Sequence, residues 1–83
     1  MATQKQIESA WENASTIRGK NPNQYRRDAK GNEIYKAAYG TQGEKGWEVD
    51  HKYPRSKGGS DSSRNLQALQ TRENRKKSNK YPY

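Results

Sequence analysis

The chain contains a single histidine, His51, which directly follows Asp50. Imidazole is the side chain whose unperturbed pKa, about 6.5, suits a general base near neutrality, so any such chemistry falls to His51. Asp50 and, further on, Asn74 offer oxygen donors and nothing softer. Such donors favour a hard cation, Mg2+ or Mn2+, over Zn2+. Around them stand Lys57, Arg72, Arg75, Lys76 and Lys77, cations suited to holding phosphate. There is no cysteine, so neither a disulfide nor a thiolate zinc site is available.

The remainder of the chain must position these groups with few apolar residues. In 83 residues, Leu, Ile, Val and Phe are represented only by Ile7, Ile17, Ile34, Val49, Leu66 and Leu69. A large core is excluded, and order must come from Trp11, Trp47 and the six tyrosines. Seventeen Lys or Arg against nine Asp or Glu give a net charge of +8. The charge is uneven: residues 1–17 hold one Lys and two Glu, net −1, whereas residues 51–83 hold nine basic and two acidic residues, net +7. A basic domain rich in Tyr, Asn and Arg has the electrostatic footprint of a nucleic-acid binder. No apolar run exceeds three residues, which argues against a membrane span or secretory signal, and the expected compartment is the cytoplasm.

The elements follow from periodicity and breakers. Ile7, Ala10, Trp11, Ala14 and Ile17 recur at spacings of three and four, and Thr3 with Gln6 reads as a capping box, predicting a helix over 4–17. Turn residues Asp28, Gly31 and Asn32 separate two short runs and predict a hairpin over 24–37. Three glycines in residues 40–46 predict a flexible connection. Trp47 and Val49 alternate with Glu48 and Asp50 as a half-buried strand, ended by Pro54. A loop around Gly58-Gly59, a second strand over 65–69 and a helix from Thr71 complete a strand, loop, strand, helix unit over 47–77. Asp50 and His51 point to opposite faces of the first strand, yet at its end both can border one cavity. The C-terminal residues 79–83 read as a frayed tail.

In order along this unit stand Asp50-His51, Pro54, Ser56-Lys57-Gly58-Gly59, Asn65-Leu66 and Asn74-Arg75-Lys76-Lys77. The stretch resembles the HNH endonucleases, of the small bacterial or phage type without zinc-binding cysteines. The resemblance implies an α+β fold, a single domain over 1–83 with a ββα-metal (His-Me finger) core, an N-terminal helix and a short hairpin. It implies His51 as general base, Asp50 and Asn74 as metal ligands, and Asn65 as the residue that braces the loop and orients His51. Lys57, Arg72, Arg75, Lys76 and Lys77 are then the nucleic-acid-binding residues. The implied activity is hydrolysis of DNA phosphodiester bonds with Mg2+ or Mn2+; the small size of the chain predicts weak sequence specificity, and a single catalytic centre predicts a nickase, in a monomer or weak homodimer. Two departures stand out: the zinc-binding Cys-x-x-Cys pairs of many members are missing, leaving Trp11, Trp47, Tyr35, Leu66 and Leu69 to hold the scaffold, and Lys52 occupies a position where an apolar residue is usual.

Other readings of the same residues are a ββα module that grips nucleic acid without cutting, and a nuclease subunit that needs a larger protein partner. RNA is the alternative substrate. Retention of Asp50, His51 and Asn74 together speaks for cutting, because phosphate binding requires none of them.

Overall fold

A computed structural model describes residues 2–78 and 81. Thr3 opens helix α1 (Gln4–Glu12): its hydroxyl accepts from the Gln6 backbone N–H at 3.1 Å, and the Gln6 side chain accepts from the Thr3 N–H at 2.9 Å. This reciprocal cap satisfies amides that a helix start leaves without partners. The helix stops at Glu12, short of the expected residue 17. Two side chains account for the early end. Arg26 Nη1 donates to the carbonyls of Trp11, Glu12 and Ala14 at 3.2–3.3 Å. The Asn13 amide donates to the carbonyls of Ser63 and Leu66 at 2.8 and 3.0 Å. Carbonyls captured from outside, and a cap side chain committed to a distant loop, leave the next turn without reason to form.

The chain then straightens into β1 (Ser15–Thr16), which pairs antiparallel with β2 (Tyr25–Arg27), itself paired with β3 (Glu33–Tyr35). Asp28 builds the β2–β3 turn. One carboxylate oxygen accepts from the Lys30 and Asn32 N–H groups at 2.9 and 2.7 Å, and the other accepts from the Gln70 N–H at 2.7 Å. A buried aspartate, 4% exposed, thus ties the hairpin to the C-terminal unit.

The expected flexible connection over residues 40–46 is instead a pinned turn. Gly40 N–H donates to Trp47 O at 2.8 Å, and Gly46 O accepts from Thr71 N–H at 3.0 Å. A Cβ on Gly46 would collide with the Thr41 carbonyl, so glycine is required by the close approach rather than for mobility.

Strands β4 (Trp47–His51) and β5 (Leu66–Gln70) form an antiparallel pair with register Trp47↔Gln70 through His51↔Leu66. Helix α2 (Thr71–Lys77) follows β5 without a loop and packs on both strands. This is a ββα unit in an α+β fold. On one face of the pair, Trp47, Leu66 and Ala68 meet Ala10, Trp11 and Ile34. The two indole rings lie 5.3 Å apart, and each N–H is satisfied by a carbonyl, Trp11 by Pro22 and Trp47 by Tyr35 and Lys36. Burying rings of this size contributes, as an upper figure, about 4–6 kcal/mol each. Tyr35 does not join this core as expected: alternation along β3 turns Ile34 inward, and Tyr35 stacks on Tyr25 at 5.0 Å. Leu69 is fully buried, outside this core cluster. The expected frayed tail lies outside the described residues except for Tyr81, whose ring meets Tyr53 edge-on at 5.0 Å.

Candidate active site

The period of two along β4 sends Val49 and His51 towards the α1 side and Glu48 and Asp50 towards α2. Near the end of the strand a polar cleft gathers groups from both sides, among them Gln6, Tyr39, Glu48, His51, Asp61 and Asn74.

The His51 ring is 23% exposed, and its Nε2 lies 2.8 Å from Asp61 Oδ1. The other Asp61 oxygen is 3.4 Å from Arg55 Nη1. The hydrogen bond from His51, helped by the Arg55 charge, holds the Asp61 carboxyl below the usual carboxylate range. The loop between the strands makes this meeting possible. Pro54 is buried and followed by a short 3-10 turn over Arg55–Lys57, Gly58 takes φ 95°, and a Cβ on Gly59 would run into the Tyr53 carbonyl. Asn65 staples the loop: its amide N–H groups donate to Tyr53 O and Ser60 O at 3.1 and 2.7 Å, and its Oδ1 accepts from Tyr53 N–H at 2.8 Å. Asn65, expected to brace the loop and orient His51, makes these bonds to the loop backbone. The group that touches the imidazole is Asp61.

Across the cleft, Asn74 Nδ2 donates to Glu48 Oε1 at 2.9 Å, and Arg75 Nη2 lies 3.8 Å from Glu48 Oε2. Burial, reinforced by the negative charge of Glu48, pushes the Tyr39 phenol up, so it stays protonated at neutral pH.

Asp50 is placed differently from its neighbour. It is 7% exposed, both its oxygens accept from Lys77 Nζ at 2.9 and 2.7 Å, and Gln67 donates to one of them at 2.8 Å. Lys77 Nζ also donates to the His51 carbonyl at 2.7 Å. Asp50 and His51 do border one smaller cavity, with Pro54, Ser56 and Lys77. Lys77, expected among the phosphate-binding cations, is 3% exposed and spent on Asp50. The reason is its position. Thr71 and Lys77, the buried residues of α2, lie three residues either side of Asn74, on the face turned to the strands. Lys57, Arg72, Arg75 and Lys76 are exposed.

Among the described residues no three His, Cys, Asp or Glu side chains converge as a preformed metal cage. Oxygen donors of Glu48 and Asn74 share the larger cleft with His51 and those of Asp50 share the smaller cavity with it, and the chemistry of these donors fits a hard cation. A divalent ion on Asp50 would share or displace the ammonium of Lys77. Glu48 was legible two residues before Asp50 on the same face. Asp61 carried no local signal, because only the closed loop returns it to His51.

The family model for HNH endonuclease matches residues 40–83, which include β4, β5, α2 and the cleft loop. Comparisons with curated proteins and with solved structures return no significant match. A match over more than half of the chain, coinciding with the ββα unit that carries His51, Asn65 and Asn74, shows that the chain belongs to the HNH endonuclease family.

Proposed function

We propose that this protein is a metal-dependent endonuclease that hydrolyses DNA phosphodiester bonds with little sequence specificity, nicking one strand per engagement. The observation that carries this reading is the partly exposed imidazole of His51 in a polar cleft, with oxygen donors of Glu48 and Asn74 in the same cleft. His51 takes the proton from the attacking water. Asp50 and Asn74, with Glu48 beside the latter, would hold a divalent cation, which would supply positive charge where it develops on the phosphate and leaving oxygens. Arg72, Arg75, Lys76 and Lys57 are exposed and hold the sugar-phosphate backbone, which positions without reading bases. One centre cuts one strand, so a double-strand break takes two nicks or a dimer.

A second reading, a module that binds nucleic acid without cutting, draws support from the Asp50–Lys77 pair, which already neutralises the carboxylate. A supercoiled-plasmid assay separates the two. Conversion to open circles with Mg2+ or Mn2+, and none with chelator, is expected of the nuclease. Retarded but uncut plasmid under every metal condition would establish the binding module, and parallel RNA substrates decide the nucleic acid.

A further inference from the structure

We propose that Asp61 is a positioning residue that fixes His51 as the Nε2–H tautomer, leaving Nδ1 as the nitrogen that takes the proton. The inference rests on the reading of His51 as base and assigns Asp61 as the side chain that orients its ring.

The geometry leaves one consistent arrangement. Nε2 and Asp61 Oδ1 are 2.8 Å apart, a hydrogen-bond distance. An ionised carboxylate can only accept, so the proton between them belongs to Nε2, and in the neutral ring Nδ1 carries the lone pair. Asp61 stays ionised because the partners on its two oxygens, His51 and Arg55, both favour the charged form. A carboxylate on the far nitrogen also stabilises the imidazolium formed once Nδ1 has accepted its proton. Transfer balances simply: the water O–H bond breaks, its electron pair stays on oxygen, and Nδ1–H forms.

The holding of Asp61 is itself specified. The segment between strands is closed by Asn65 bonds to Tyr53 and Ser60, one residue before Asp61, and by the Gly58-Gly59 turn. Asp61 is 45% exposed, so its substitution removes little packing. In a cleft meant for a polyanion, an exposed carboxylate beside the base weakens substrate binding, and its contact with His51 is what it offers in return.

His51 being the only histidine, its two ring nitrogens can be read directly by 15N NMR in tag-free protein without metal. In the neutral ring, recorded at alkaline pH, wild type is expected to show a protonated Nε2 and a bare Nδ1. Asp61→Ala should give a mixture of tautomers, and Asp61→Glu should restore the wild-type pattern in part. In the plasmid assay Asp61→Ala should lower kcat about 10- to 100-fold with KM for DNA unchanged or lower, since a negative charge leaves a basic cleft. Wild-type tautomer populations or wild-type kcat in folded Asp61→Ala would overturn the proposal. So would a wild-type Nδ1–H ring. Wild type that shows the Nε2–H ring yet cuts nothing would instead overturn the nuclease reading alone.

Discussion

Asp50 and His51 are adjacent in sequence and occupy opposite environments. Asp50 faces α2, nearly sealed, with its charge cancelled by a lysine that is itself buried. His51 faces a cleft at the other side of the strand, partly exposed, with a half-exposed aspartate on its ring. The pleat of one strand therefore separates a carboxylate sealed in an ion pair from an imidazole open to the cleft. Proximity in a motif does not mean a shared environment: the joint between β4 and α2 carries the ion pair, and the loop closed by Asn65 carries the histidine's partner.

The comparison breaks most severely if the sealed side is opened. Lys77→Met keeps similar bulk but strands the Asp50 carboxylate, and the expected loss is about 3–5 kcal/mol of unfolding free energy, measured by urea titration. Adding Asp50→Asn should recover much of it, because neither partner is then left charged and alone. The single variant also sharpens the metal question. Where Asp50 has lost its ammonium, Mg2+ should raise the melting temperature more than it does in wild type, worth about 1.4 kcal/mol at a tenfold excess over Kd. Equal Mg2+ responses in both proteins would make Asp50 purely structural.

A smaller effect is expected on the open side. Asn65→Ala removes three bonds to loop backbone and should cost about 1–3 kcal/mol. It should also lower cleavage by letting Asp61 drift from His51, with DNA affinity held. A variant destabilised to that extent but fully active would separate the brace from the chemistry.

How much of this was legible beforehand depended on whether a feature is local. The His51, Asn65 and Asn74 spacing, the two strands and the start of α2 follow from alternation, turn residues and the motif. The end of α1 does not, because Arg26, 14 residues beyond Glu12, takes its carbonyls. The Asp61 contact was hidden for the same reason, since its cause is loop closure. Lys77 was misread although its signal was present: a spacing of three from Asn74 places both on the inward face, and the run of basic residues obscured it.

Exposed cations bring the next smaller change. Arg75→Ala with Lys76→Ala should reduce the slope of log affinity against log salt by roughly 0.9 per lost phosphate contact, equally for unrelated sequences. Loss confined to one sequence would mean that these side chains read bases. The smallest effect belongs to Glu33, on the N-terminal sheet and outside the residues that line the His51 cleft. Lys20, at 2.7 Å, and then Lys45, at 3.4 Å, hold the Glu33 carboxyl below its usual range. The contribution of a depressed carboxyl is present above the ordinary glutamate pKa of about 4.3 and disappears as pH falls through the lowered value. Glu33→Gln should therefore slightly flatten the acid limb of stability against pH and leave cleavage unchanged. An unchanged acid limb would remove Glu33 from the account.

That His51 is the general base is tested most directly by His51→Ala in the supercoiled-plasmid assay, with urea stability and DNA affinity measured on the same preparation. The expected result is a rate lowered by about 10²–10⁴ with folding and affinity close to wild type. Cleavage at the wild-type rate by the folded variant would contradict it.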